Sequence, residues 1–113
     1  MSATTPQHAR CPIRTALDLI GGKWKLLLLY QLADGPLRYG ELRQRLEGSS
    51  DKVLVQQLRV LEQDRLISRK DYRSAPPRVE YALTDAGRHA LPLIEQLAEF
   101  THRYVESTRT ERA

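Results

Sequence analysis

Ser49-Ser50-Asp51-Lys52-Val53-Leu54-Val55-Gln56-Gln57-Leu58-Arg59-Val60-Leu61-Glu62-Gln63-Asp64 carries an apolar and a polar stripe at helical spacing. Ser50 is a good N-cap, and Asp51 suits the positive end of a helix macrodipole. A helix is therefore expected from Ser50 to about Asp64. At about 3.6 residues per turn, Leu54, Leu58 and Leu61 share one face and dock on a core. Lys52, Gln56, Arg59 and Gln63 share the opposite face. Arg and Lys suit guanine edges and Gln suits adenine. Val55 flanks them and can touch a thymine methyl, and Ser50 sits at the leading end. An ordinary solvated helix face has the same composition, so the neighbourhood must decide.

Upstream, Tyr39 to Leu46 reads as a shorter helix with Tyr39, Leu42 and Leu46 on one side, and Glu47-Gly48-Ser49 is a tight turn. Downstream, Arg65 to Tyr72 and Arg78 to Leu83 read as two strands. Val79, Tyr81 and Leu83 alternate with Arg78, Glu80 and Ala82, the half-buried strand pattern. The loop Arg73-Ser74-Ala75-Pro76-Pro77 joins them, stiffened by its prolines. Two short helices across a tight turn, then a basic hairpin, make the winged helix-turn-helix plan. In that plan Arg73 and Arg78 ride an arm that can enter a narrow minor groove. Arg69 and Lys70 on the stem are candidate phosphate contacts. A charged loop that keeps the hairpin soluble would look alike.

Further out, Cys11-Pro12 opens a first helix with proline at its first position. Ile13, Leu17 and Ile20 form its stripe, and Gly21-Gly22 stops it. Lys23 to Asp34 is apolar on nearly every side and is expected to be central and buried. Asp34-Gly35-Pro36 ends it, and Leu37-Arg38-Tyr39 is at most a bridging strand. Thr84 is expected to cap a last helix reaching about Ser107, with Ala90, Leu93, Leu97, Phe100 and Tyr104 on its stripe. Pro92 should kink or break it. The chain thus divides into a flexible arm over 1–10, one mainly α domain with a small β-hairpin over 11–107, and a polar tail over 108–113.

With 113 residues, 41% hydrophobic and 28% charged, the chain is one globular domain. Its longest apolar run, Leu26 to Tyr30, is far below the ~18–20 residues needed to cross a bilayer. No signal-peptide stretch precedes it, so a cytoplasmic protein without a membrane partner is expected. The net charge is +4. It concentrates in residues 37–78, where ten cations face six anions. That is the footprint of a nucleic-acid face, or of a plain solvated surface. Enzymatic signatures are missing. Gly22-Lys23 lacks the upstream glycine of a phosphate loop, and there is no Gly-x-Ser-x-Gly. His8, His89 and His102 are far apart, and Glu99 with His102 suggests only a surface ion pair. No enzyme, cofactor or metal is expected.

The ordered set Cys11-Pro12, Gly21-Gly22-Lys23-Trp24, Asp34-Gly35-Pro36-Leu37-Arg38-Tyr39, Gln56-Gln57-Leu58, Leu61-Glu62, Pro76-Pro77-Arg78-Val79-Glu80-Tyr81 and Leu83-Thr84-Asp85-Ala86-Gly87 resembles the HxlR family of bacterial transcription regulators. These are winged-helix proteins related in architecture to MarR. The match spans residues 11 to about 104. The resemblance implies a sequence-specific regulator that binds double-stranded DNA at a near-palindromic operator; a repressor is expected, with an activator as the open alternative. It implies that 50–63 is the recognition helix and 68–82 the wing. It also implies a homodimer built through the first and last helices, placing two recognition helices ~34 Å apart. The last helix does carry more apolar surface than one small core hides. Ser49 departs from the pattern, which often has an apolar residue there, and predicts a less tightly pinned turn.

Several members of the family sense oxidants, quinones or aldehydes through a cysteine at this N-terminal place, and Cys11 matches it. A helix N-terminus flanked by Arg10 and Arg14 favours the reactive thiolate. With one cysteine per chain, Cys11 can pair only with its copy in a second subunit, or take a small thiol, an electrophile or a sulfenic acid. A buried packing residue is the other reading. Two further functions stay open. One is a winged-helix protein-interaction module, which should show apolar anchors on residues 52–63. The other is a regulator gated by a small ligand, with Trp24, Tyr30, Phe100 and Tyr104 lining the pocket.

Overall fold

The computed structural model describes residues 11–112; the arm expected over 1–10 lies outside them. The element order is α1 (Pro12–Ile20), α2 (Lys25–Gln31), β1 (Leu37–Arg38), α3 (Tyr39–Arg45), α4 (Asp51–Gln63), β2 (Ile67–Asp71), β3 (Val79–Leu83), α5 (Asp85–Arg88) and α6 (Ala90–Arg112). The sheet is antiparallel in the order β1-β3-β2. Leu37 faces Tyr81 across one pair, and Ile67 faces Leu83 and Asp71 faces Val79 across the other. This is the winged helix-turn-helix architecture expected from the sequence.

The core is almost entirely leucine. Leu28 and Leu29 from the second helix and Leu32 just after it meet Leu42 from the third, Leu46 just after it, and Leu54, Leu58 and Leu61 from the fourth. Ile67 and Leu83 close it from the sheet. The i, i+4, i+7 spacing in α4 thus docks as the sequence requires. Helix α4 ends in a Schellman turn. The N–H of Leu66 donates to Leu61 O at 3.0 Å, and that of Arg65 donates to Glu62 O at 3.0 Å. Arg65 takes the left-handed position (φ 61°), where glycine is usual. The Thr84 hydroxyl donates to its carbonyl at 2.6 Å. In the turn between α3 and α4, Gly48 supplies the positive φ, 91°.

The C-terminal region differs from expectation. Thr84 caps only the four-residue α5, accepting from the N–H of Gly87 at 3.0 Å. The break expected from Pro92 falls at His89, next to the Arg88 carbonyl that its ring would meet in a continuous helix, and Pro92 itself lies in the first turn of α6. At that position a helical N–H has no partner, so its loss costs little. Nor does the helix stop near Ser107. It runs to Arg112, through most of the expected polar tail, with the Thr108 hydroxyl donating to Tyr104 O at 3.0 Å. No glycine or proline follows Pro92 to end it.

The stripes on the terminal helices do not pack on this core. Ile13 is 73% exposed and Leu17 63%, while Ile20 is buried. On α6, Ala90, Leu91 and Ile94 pack inward, whereas Leu93, Leu97, Phe100 and Tyr104 stay exposed. The second helix is buried only along Leu28 and Leu29, with Leu27 and Tyr30 outside.

Candidate nucleic-acid interface

The mount of α4 comes first. Ser50 caps it, its hydroxyl accepting from the Val53 N–H at 3.2 Å. Asp51 does more than face a dipole. Its Oδ1 accepts from Arg43 Nε at 2.5 Å and from the Tyr39 hydroxyl. One carboxylate oxygen therefore ties both ends of α3 to the first turn of α4. Ser49, read as a weak point, is buried, and its hydroxyl donates to Leu46 O at 2.8 Å. The turn is pinned by a hydrogen bond where an apolar contact was expected. Arg43 also reaches Ser49 O at 3.4 Å.

The Arg43 bond, then the Tyr39 bond, hold the Asp51 carboxyl below its ordinary 3.8. Burial, then Asp51, raise the Tyr39 phenol, which therefore stays protonated and keeps donating. The sign follows from linkage. A depressed folded-state carboxyl stabilises the fold above its unfolded value and loses that contribution as pH falls through the folded one. Asp51→Asn is therefore expected to be less stable than the parent by a constant amount above about pH 5. The gap should close below pH 3.8. Urea unfolding across pH 2–6 checks this; a gap that stays constant would remove the tie.

The outer face of α4 is open. Lys52, Val55, Gln56 and Arg59 are all exposed, and with Asp51 they line a shallow concavity of about 520 Å³. A second concavity of about 340 Å³ lies between α4 and the sheet, lined by Val55, Arg59, Glu62, Arg69 and Tyr81. Arg59 and Arg69 thus share one cleft. Among the described residues no ion pair or hydrogen bond engages the side chains of Lys52, Arg59, Arg69 or Arg73.

The wing separates residues that its sequence places side by side. Side chains alternate across a strand. Arg69 and its cross-strand partner Tyr81 lie on the α4 side, so Lys70 and its partner Glu80 lie on the other. Tyr72 and Arg78 share the Lys70 side. Arg78 Nη2 is 2.9 Å from Glu80 Oε2, and the Tyr72 hydroxyl donates to Glu80 Oε1 at 2.9 Å. Arg78 and Lys70 also stand over the Tyr72 ring, 4.1 and 4.6 Å from its centroid. The Arg78 bond, followed by that of Tyr72, lowers the Glu80 carboxyl. Arg73 is alone at the tip in the left-handed region (φ 50°), its N–H donating to Asp71 Oδ1 at 2.8 Å. Sequence reasoning missed both carboxylates. Arg78 and Glu80 lie two apart on a strand, the one signal that could have paired them.

Away from this face, Cys11 is exposed at the N-cap of α1 and makes no side-chain cap bond. Apolar concavities lie beside it and beyond. One of about 370 Å³ is lined by Ile13, Leu17, Leu26, Leu93 and Leu97 among others. Another of about 570 Å³ includes Leu27, Tyr30 and Ile94. Of the four aromatic residues read as a possible pocket, only Tyr30 lines one of these concavities. Trp24 packs on the core, and Phe100 stacks on Tyr104 at 6.3 Å along α6. Glu99 bonds Arg103 at 2.9 Å, the place the sequence suggested for His102. Among the described residues no group of three or more His, Cys, Asp or Glu could hold a metal, and no helix is long and apolar enough to cross a membrane.

Known proteins share this arrangement. The HxlR-like helix-turn-helix family matches residues 19–109. The HTH-type transcriptional regulator YdeP of Bacillus subtilis is 45% identical over 94 residues, 83% of this chain and 73% of its own. The redox regulator HypR in its oxidized form superposes with a TM-score of 0.77 at 41% identity, over 82% of this chain and 96% of that one. The reduced form of the transcriptional regulator YodB from B. subtilis gives 0.76 at 27%, over 86% and 95%. On the family match over most of its length and the identity to these regulators, the chain belongs to the HxlR-like helix-turn-helix family and is a transcriptional regulator, not an enzyme.

Proposed function

We propose that the protein binds a near-palindromic operator as a homodimer, reads base edges with Lys52, Val55, Gln56 and Arg59, and acts as a repressor. The observation that carries this is the exposed, unpaired Lys52–Gln56–Arg59 face on a helix fixed by caps at its start and leucines behind it. Arg69, across the cleft from Arg59, is placed for a backbone phosphate. Ser50 spends its hydroxyl on the cap, which leaves its contribution to DNA one of helix placement. A protein-interaction module would need apolar anchors on this face, and only Val55 is one.

The homodimer rests on the ridge of Ile13, Leu17, Leu93, Leu97, Phe100 and Tyr104, all exposed. A contiguous apolar ridge marks an interaction surface, and a symmetric second copy covers it at no cost in new sequence. Cys11 begins the helix that carries Ile13 and Leu17, so a change at its sulfur alters the edge of that ridge. HypR is a redox regulator, and this supports the reading that oxidation or alkylation of Cys11 weakens operator binding.

Selection from a randomised duplex pool at fixed moderate salt, with and without diamide, tests the whole reading. Enrichment of an inverted repeat is expected, with diamide abolishing it for the parent and sparing Cys11→Ser. Transcription in vitro from a promoter carrying the repeat should fall as protein is added. Weak, salt-sensitive binding without enrichment would refute the operator. Equal diamide loss in Cys11→Ser would refute the sensor alone.

A further inference from the structure

We infer that the wing carries a single base-reading cation, Arg73, and that Arg78 is a positioning residue which, with Tyr72 and Glu80, aims the tip at an A·T-rich minor groove flanking the operator half-site. The inference rests on the DNA-binding reading above and divides a role that sequence assigns jointly to both arginines.

Arg78 is already engaged on two sides. Its guanidinium makes a charge-assisted bond to Glu80 at 2.9 Å and stands 4.1 Å from the Tyr72 ring. Glu80 is only 19% exposed at its side chain, and its second oxygen is taken by the Tyr72 hydroxyl. Entering a groove would cost Arg78 both partners and leave a shielded carboxylate without its counter-charge, bonded only by the Tyr72 hydroxyl. Its charge, moreover, is cancelled locally. Neither objection applies to Arg73, which is exposed and unpaired among the described residues.

The tip is also fixed in the sense a mount requires. The Tyr72 N–H donates to Arg78 O at 2.9 Å, one step beyond the last ladder pair, Asp71 with Val79. Asp71 then turns the chain by accepting from the Arg73 N–H, holding Arg73 in its left-handed conformation. The Ser74 hydroxyl donates to Pro76 O at 2.7 Å on the return side. Arg73 therefore projects from a turn held on both flanks. A narrow A·T-rich minor groove, with its enhanced negative potential, is the duplex feature that selects a lone arginine.

The test is selection on randomised sequence flanking the enriched repeat, with affinity measured across salt concentrations, for the parent, Arg73→Ala, Arg78→Ala and Glu80→Gln. Melting curves confirm that each variant is folded. The parent should prefer A·T flanks. Arg73→Ala should lose that preference and flatten the log–log salt slope by about one. Arg78→Ala should weaken the preference several-fold and leave the slope unchanged. Glu80→Gln should weaken it too and steepen the slope, because it releases Arg78. The inference is overturned if Arg78→Ala flattens the slope as Arg73→Ala does while keeping the flank preference. It is overturned equally if the parent selects the repeat with no flank preference, which leaves the operator reading intact. A parent that selects no repeat sinks the operator reading itself.

Discussion

Arg59→Ala is expected to lower operator affinity by about 1–3 kcal/mol, roughly 5- to 150-fold, and to relax selection at one base pair in each half-site. Arg59 is exposed at the meeting of two concavities, one along α4 and one shared with Arg69. A side chain there can reach a base edge or the adjacent backbone, and the two roles separate experimentally. A base contact costs affinity at one position. A phosphate contact costs affinity evenly across sequences and flattens the salt slope. The outward face predicts little change in stability, so the melting temperature should stay within about 2 °C of the parent. Fluorescence anisotropy on the selected repeat and on single-base variants measures all of this. Uniform weakening across the variants would move Arg59 from base reading to backbone contact.

Gly87→Ala is expected to be the most damaging single methyl in the protein. A Cβ at Gly87 would lie 2.0 Å from Leu66 O and 3.3 Å from Leu83 Cδ2. The Leu83 methyl can give way, but the Leu66 oxygen is backbone, with its carbonyl carbon also close at 3.1 Å. Leu66 is the residue that closes the Schellman turn after α4, and its carbonyl also accepts from the Thr84 N–H at 3.2 Å. Relief requires α5 to move off the sheet or the α4 terminus to shift. A cost of about 3 kcal/mol is expected, at the upper end of ordinary overpacking, with a fall of roughly 15 °C in Tm. Thermal and urea unfolding check it. A Tm within a few degrees of the parent would mean that α5 docks more loosely than its geometry indicates.

Much of this was legible in the residues. The spacing of Leu54, Leu58 and Leu61 gave the buried side of α4 and, by subtraction, its open side. Ser50, Gly21 and Gly48 are local signals, and local geometry honoured them. What escaped depended on register or on the far side of a contact. Gly87 passes close beneath the Leu66 carbonyl, a tertiary demand on α5 with no periodic signature. Pro92 does mark a break, but the break falls at His89, because a proline disrupts the turn before it, at the carbonyl four residues back, and is tolerated in the first turn of the helix that follows. Strand alternation already puts Arg69 and Lys70 on opposite faces, and only the tertiary packing shows that it is Arg69, paired with Tyr81, that faces α4. The apolar stripes of α1 and α6 were correctly seen as stripes. Periodicity reports that a face is apolar, not which molecule covers it.

Helix α6 carries a consequence of its own. Every residue from Glu95 to Ser107 is exposed, so beyond its first turns the helix leans on little besides its own hydrogen bonds. Such a segment is marginal in water, and the free energy of local opening declines along it, away from the anchoring Ala90, Leu91 and Ile94. Whatever settles against Phe100 and Tyr104 gains most leverage where that gradient is lowest. A surface that covered Phe100 and Tyr104 would therefore stabilise the helix most where its own contacts with the core are fewest.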